Sequence, residues 1–223
     1  MMKDHETVAS SIEHTLLRPD AGEDDLERLC KEAVQYGFHA VCVNPSRVGF
    51  VREYLINSPV RVCTVVGFPL GATLTEVKVF EAIKAVEKGA DEIDMVMNVG
   101  LAKEGRWNLL RDEIQAVALA IPDAVFKVII ETGLLDQEEI ITSSRVVEEG
   151  GAGFVKTSTG YGPRGATLPD IEVIKGAVSD RMGIKASGGI RELKEVLSFL
   201  AAGASRIGTS AGVKIMEELR GAS

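Results

Sequence analysis

A single (β/α)8 barrel is the fold class this sequence predicts, and three observations predict it. Short β-branched runs alternate with longer amphipathic segments along the 223 residues, glycine recurs just after the helical segments, and charged residues stand inside runs that otherwise read as buried strands. Eight βα units in 223 residues average about 28 residues each, close to the minimum for strand, turn, helix and return loop. An open doubly wound sheet fits less well, because no Gly-x-Gly-x-x-Gly turn follows an early strand. No linker or low-complexity tract divides the chain, so residues 1–223 are read as one barrel domain with a short N-terminal helical extension.

The first strand is the weakest signal, at Ser11 to Leu16, where Ile12 and the run Thr15-Leu16-Leu17 follow a short helical stretch. The other seven are clearer: 40–43, 62–66, 92–97, 126–130, 154–158, 183–187 and 206–210, each rich in Val, Ile or neighbouring small residues. Helical periodicity covers 23–36, 73–88, 106–120, 137–149, 191–202 and 213–220, with shorter helices at 46–57 and 169–178. Gly37, Gly89, Gly150 and Gly203 follow the last periodic residues, where a helix ends most easily on a left-handed glycine.

Composition limits the partners. With 25 Lys and Arg against 33 Asp and Glu the net charge is −8, and no basic stretch could track a phosphate backbone, so nucleic acid is excluded as the expected ligand. The apolar runs are far shorter than a membrane span, and Met2 is followed by Lys3, Asp4, His5 and Glu6 rather than a signal-peptide core. Cys30, Cys42 and Cys63 are an odd number without CxxC spacing, which suits a reducing cytoplasm; the two within strands, Cys42 and Cys63, read as core. Neither they nor the three scattered histidines have the spacing of a metal site, so no metal and no cofactor is expected.

Three signals could carry chemistry. Asp94, Lys156 and Lys185 lie within the fourth, sixth and seventh strands, which a barrel brings to one central volume. A lysine beside a second cation in a desolvated pocket loses its proton more easily and becomes a nucleophile toward a carbonyl, forming a Schiff base; a nearby carboxylate can shuttle protons. The plainer reading is a buried Lys-Asp pair with one lysine reaching out from a strand end. Lys127 stands at the start of its strand, the end remote from the catalytic face, and is read as structural.

Glycine-rich turns supply the second signal. Ser187-Gly188-Gly189-Ile190 and Gly208-Thr209-Ser210-Ala211-Gly212 each precede a helix, at the two places where barrel enzymes often cradle a phosphate. The third is the hydroxyl-rich loop from Lys156 to Thr167, in which Thr157 and Gly160 are read as binding substrate or its phosphate. Within it Arg164 is read equally as a phosphate partner or a plain surface arginine, and Tyr161 as substrate-side or solvent-side. His14, Thr15 and Arg18 are placed near the mouth, and His39 in a helix-to-strand loop.

The chain resembles the deoxyribose-phosphate aldolase family of class I aldolases. The likeness runs from Glu13-His14-Thr15-Leu16-Leu17 through Val41-Cys42-Val43-Asn44-Pro45, Val66-Gly67-Phe68-Pro69-Leu70-Gly71 and Ala90-Asp91-Glu92-Ile93-Asp94-Met95-Val96 to Gly208-Thr209-Ser210. Its specific part is the combination of Val155-Lys156-Thr157-Ser158-Thr159-Gly160 with Gly183-Ile184-Lys185-Ala186-Ser187-Gly188-Gly189-Ile190. The resemblance implies reversible cleavage of 2-deoxy-D-ribose 5-phosphate to D-glyceraldehyde 3-phosphate and acetaldehyde. It implies Lys156 as the Schiff-base lysine, Lys185 as the neighbouring cation, Asp94 as the proton relay, and Gly188, Gly189, Gly208 and Ser210 as the phosphate turns. Most barrels of this kind self-associate, so a homodimer or homotetramer is expected, with a small-molecule sugar phosphate as substrate. Many relatives carry Asp at Glu13, some a lysine at Tyr161, and some a tyrosine in a C-terminal tail for which the ending Gly221-Ala222-Ser223 has no counterpart. Two other readings remain open: a class I aldolase for another phosphorylated sugar, and a phosphate-binding barrel isomerase, which would not need two buried lysines. A non-catalytic binder would leave the three charges without a use.

Overall fold

The computed structural model describes residues 5–221, so the Met2-Lys3-Asp4 start and Ala222-Ser223 lie outside the described residues. After α1 (His5–Ala9) the chain runs β1 (Ile12–Leu16), α2 (Glu23–Tyr36), β2 (Ala40–Val43), α3 (Val48–Tyr54), β3 (Arg61–Val66), α4 (Thr75–Glu87) and β4 (Glu92–Val96). It continues through α5 (Val99–Lys103), α6 (Trp107–Ala120), β5 (Val125–Ile129), α7 (Gln137–Glu149), β6 (Phe154–Lys156), α8 (Leu168–Ala177), β7 (Gly183–Ser187), α9 (Leu193–Ala202), β8 (Arg206–Thr209) and α10 (Gly212–Gly221). Every strand pairs parallel with its sequence neighbour, and β8 closes on β1. The predicted barrel is therefore the observed one, including its weakest strand.

The main apolar core lies between the strands and the helical ring, where Ile12, Val41, Ile93, Val128, Val155, Ile184 and Ile207 meet helix residues such as Leu26, Ile114, Ile140 and Ile215. The barrel interior differs in kind. Towards β2 and β3 it holds a small cluster of Ala40, Cys42, Cys63 and Val65; towards β1, β4, β5, β6 and β7 it is charged. Alternation along a strand produces both surfaces at once, since each strand sends every second residue to the helices and the others to the axis. No helix among the described residues is long and apolar enough to cross a membrane.

Local differences from the sequence reading have local causes. The helix expected over 46–57 divides into a 3-10 turn at Pro45–Arg47 and α3. Val99–Lys103 forms a short helix that the periodicity did not announce; the Asn98 side chain caps it by accepting from Leu101 N–H. Gly150 keeps a right-handed backbone, and Gly151, at φ 89°, turns the chain out of α7 instead. Glycine at 150 serves packing: a Cβ there would stand 2.5 Å from Ile114 Cγ2.

Candidate active site

Register brings the interior charges together. Asp94 pairs with Lys127 across β4 and β5, and Lys156 with Lys185 across β6 and β7. Glu13 lies opposite Gly208, where a Cβ would come within 3.1 Å of Lys185 Cε. Glycine at 208 thus makes room for the lysine stem as well as lining the pocket above it.

The result is a network of three ammonium groups and three carboxylates, buried to 3% exposure or less. Asp94 is its hub: Oδ2 accepts from Lys156 Nζ at 2.7 Å and from Lys185 Nζ at 2.6 Å, and Oδ1 from Lys127 Nζ at 2.9 Å. Lys185 also reaches Glu13, while Lys127 reaches Glu92 Oε2 at 2.5 Å and Glu13 Oε2 at 3.4 Å. Beyond Glu92, His39 Nε2 lies 2.8 Å from its Oε1. Three positive charges meeting three negative ones make the interior neutral when all six are ionised, the condition under which buried charge is tolerable.

Burial opposes the charges on Asp94, Glu92, Lys127 and Lys185, and their partners outweigh it. Asp94 is held well below the ordinary carboxylate range because Lys127, Lys156 and Lys185 surround it. Glu92 is brought down to about 2 by His39 and Lys127 against the same opposition from burial. Lys127 and Lys185 are pushed above the ordinary lysine value, chiefly by Asp94 and, for Lys185, next by Glu13. Burial drives the Cys63 thiol far up, which leaves it inert, in agreement with its reading as core.

Of the three lysines only Lys156 opens onto a pocket. This pocket, of about 350 Å³, lies over the ends of β6, β7, β8 and β1 and is lined by Lys156, Gly160, Tyr161, Gly188, Gly189, Gly208 and Ser210 together with Thr15, Arg18 and Arg191. The expected nucleophile and the expected phosphate turns therefore share one cavity. Gly188 and Gly189 take φ of 90° and 78°, a region side chains rarely adopt, and a Cβ at Gly188 would meet Gly165 Cα at 2.9 Å.

Several expectations are corrected. Arg164 is not at the pocket: its guanidinium bonds Asp170, at 2.5 Å from Nη1 to Oδ2, and the Thr132 carbonyl. Arg191 and Arg18 line the cavity in its place, with Arg18 also held by Asp20 and Asp25. Thr157 is a buried strut, donating to Ser187 O at 3.2 Å and accepting from Ser187 N–H at 3.1 Å. His14 faces the helices, with Nε2 2.8 Å from Glu32 Oε2 and its ring against Phe38, because alternation along β1 gives the axis to Glu13. Lys127 is the middle residue of β5 and belongs to the charge network rather than lying remote from it. The N–H groups at the start of α9 are taken by carboxylates, Arg191 and Glu192 by Glu195 and Leu193 by Glu218, so this helix end is not free for an anion. The N-terminus of α10, beside Ser210, carries no such acidic residue in its first turn.

One residue passed unnoticed in the sequence. Glu131 follows β5 with φ 53°, the only non-glycine in the left-handed region among the described residues. Its buried carboxylate accepts from the Thr159 hydroxyl and from Thr159 N–H, and it occupies the space a side chain at Gly162 would need. A backbone held at a conformation that disfavours Glu marks a place where the surrounding structure dictates the residue. Here it holds the loop that follows Lys156.

Comparison with known proteins agrees with this geometry. The model of the DeoC/LacD family of aldolases matches residues 7–218. A deoxyribose-phosphate aldolase of Methanocella arvoryzae is 53% identical, with 97% of each chain covered, and one of Thermoanaerobacter is 49% identical over 95% of this chain and 96% of its own. Among solved structures, a tetrameric deoxyribose phosphate aldolase from Aeropyrum pernix superposes with a TM-score of 0.91 at 35% identity, covering 99% of this chain and 94% of that one. On matching family model, sequence and structure, the chain belongs to the DeoC/LacD aldolase family.

Proposed function

We propose that this chain is a class I aldolase that reversibly cleaves 2-deoxy-D-ribose 5-phosphate to D-glyceraldehyde 3-phosphate and acetaldehyde. One observation carries the reading: Lys156, alone among the interior lysines, joins the charge network at one end and the glycine-turn pocket at the other. The substrate is a small sugar phosphate, its phosphate held at Gly188, Gly189, Gly208 and Ser210 with Arg191 supplying charge.

The chemistry follows from the charge balance. The free amine of Lys156 adds to the C1 aldehyde of the open-chain sugar, and water leaves as the iminium forms. A base removes the C3 hydroxyl proton, the C2–C3 bond breaks, and its electron pair passes into the iminium to give an enamine while glyceraldehyde 3-phosphate departs. As the iminium becomes a neutral enamine, one positive charge disappears beside Asp94. Its carboxylate, a poor base while three cations surround it, then binds a proton more readily, directly or through water. Returning that proton to C2 regenerates the iminium, and water releases acetaldehyde and the lysine. Lys185 stays charged throughout, held by Glu13 and Asp94.

Borohydride reduction in the presence of deoxyribose 5-phosphate, followed by peptide mapping, tests this directly. The added mass is expected on Lys156. An adduct on Lys185 or Lys127 with Lys156 unlabelled would reverse the assignment, and no adduct would remove Schiff-base chemistry altogether.

A further inference from the structure

Beside the lysine pocket lies a second cavity of about 400 Å³, above the ends of β1, β2 and β3. The two are separated by little: Leu16, Leu17, Arg18 and Tyr161 line both. Between them the Tyr161 hydroxyl donates to the Leu17 carbonyl at 3.1 Å, so the ring bridges the barrel mouth from the β6 loop to the end of β1. Its edge meets Phe68 at 5.4 Å between centroids and 89° between planes. The bridge has a fixed abutment. Tyr161 N–H donates to Thr159 Oγ1 at 3.0 Å, and that hydroxyl donates to the buried Glu131. A tyrosine 56% exposed is thus tied at its backbone and at its tip, more restraint than a surface aromatic needs.

The two compartments differ in chemistry. The first is bordered by glycine turns and Arg191; the second presents Ala21, Leu26, Phe68 and Pro69 alongside Asn44 and Arg47. We propose that Tyr161 is a specificity-determining wall, closing this second compartment to the aldehyde that reacts at Lys156 and so selecting short phosphorylated acceptors over longer unphosphorylated aliphatic ones. The inference rests on the aldolase reading. A phosphorylated aldehyde gains its binding from the turns and arginine; an aliphatic one finds only Leu16, Leu17 and Ile190 there, and the further apolar side chains, Ala21, Leu26, Phe68 and Pro69, lie on the far side of the ring. Each methylene given such surface is worth about 10-fold in kcat/KM at the lower end of what hydrophobic pockets deliver.

The test is aldol addition of acetaldehyde to two acceptors, D-glyceraldehyde 3-phosphate and hexanal, by the full chain and by Tyr161→Ala and Tyr161→Phe. In Tyr161→Ala the ratio of kcat/KM for hexanal to that for the phosphorylated aldehyde should rise by about 10-fold or more. Tyr161→Phe, which keeps the ring and loses only the hydroxyl, should move the ratio far less. Circular dichroism checks folding, and Tyr161→Ser repeats the measurement should the alanine variant unfold. An unchanged ratio in the truncated variants, or an equal rise in Tyr161→Phe, overturns the wall while leaving the aldolase reading intact. Absence of addition to either acceptor by the unaltered chain overturns the aldolase reading and the wall with it.

Discussion

Two sets of buried charge in this molecule obey the same electrostatics and end in opposite conditions. Between α4 and α6, Lys78 and Glu113 form a fully buried pair at 2.9 Å; Lys78 also donates to Val96 O at 2.9 Å, and Glu113 accepts from Asn98 N–H at 3.0 Å. At the barrel axis, three lysines and three carboxylates share one network. Burial lowers the Lys78 pKa, and its single carboxylate does not make up the loss. For Lys185 and Lys127, equally buried, two or more carboxylates reverse the sign. The number of counter-charges, rather than the depth of burial, decides which way a buried lysine moves.

The difference has consequences with pH. Lys127 and Lys185, raised above the ordinary 10.5, contribute stability that is present in full below that value and is lost only as pH climbs through their folded values. Asp94, lowered, contributes stability present above 3.8 and lost as pH falls through its folded value. Lys78 runs the other way: its ionised form costs stability at neutral pH, a cost relieved in alkali. The pair also has no opening, whereas the axis network meets a pocket at Lys156. A closed pair of this kind fixes the end of β4, where Lys78 donates to Val96 O and Glu113 accepts from Asn98 N–H. An open network can exchange one of its charges for a covalent bond.

Asp94→Asn is the strongest way to break the contrast. It removes the carboxylate proposed as the base and leaves three lysines facing Glu13 and Glu92 alone. Turnover of deoxyribose 5-phosphate should fall by about 10²- to 10⁴-fold, the range for a lost proton-transfer group, in protein that circular dichroism shows folded. Turnover near that of the unaltered chain would make Asp94 a counter-ion only, and the axis network would then be no different in kind from the Lys78 pair.

The pair itself gives the next test. Lys78→Met strands Glu113 in the interior and should cost about 3–5 kcal/mol in denaturant unfolding. Adding Glu113→Leu should recover most of that, because an apolar pair of similar volume carries no desolvation cost. Failure of the double variant to recover would mean that the carboxylate's hold on Asn98 N–H, rather than charge pairing, is what the fold needs.

How far these sets were legible in the sequence depends on strand phase. Asp94 and Lys185 stand out because each interrupts a strand at its middle, and Lys156 because it ends the Phe154-Val155 run just ahead of the hydroxyl-rich loop, its strand stopping there rather than at Ser158. Lys127 carried the same signal, yet a strand drawn one residue late, from Phe126 rather than Val125, placed it at an end. Glu13 and His14 were ambiguous because the first strand's phase was undetermined, and phase alone decides which of two neighbours faces the axis. Thr157 takes its role from Ser187, a partner distant in sequence, and Arg164 from Asp170, six residues on, together with the distant Thr132 carbonyl, pairings that no spacing rule names. The Glu131 backbone is beyond any local signal, since nothing in Ile130-Glu131-Thr132 asks for a left-handed residue.

The smallest expected effect sharpens the contrast at the open end of the network. If the opening exists to admit a phosphate ester, its glycine turns should discriminate phosphorylated from plain sugar, a property the closed pair cannot share. Gly189 is the place to test it, because a Cβ there meets nothing within 4 Å and projects into free space, so the substitution intrudes on ligand rather than on protein. At φ 78° an alanine costs about 1–2 kcal/mol of backbone strain, which the fold should survive where the larger valine adds a β-branch to the same strain. Displacing the phosphate from one N–H donor should lower the preference for deoxyribose 5-phosphate over deoxyribose by about 10-fold, the worth of a hydrogen bond to a charged group. The measurement is kcat/KM for both sugars with Gly189→Ala. A fall in both by the same factor would signal strain alone, and an unchanged ratio would move the phosphate towards Ser210 and the N-terminus of α10.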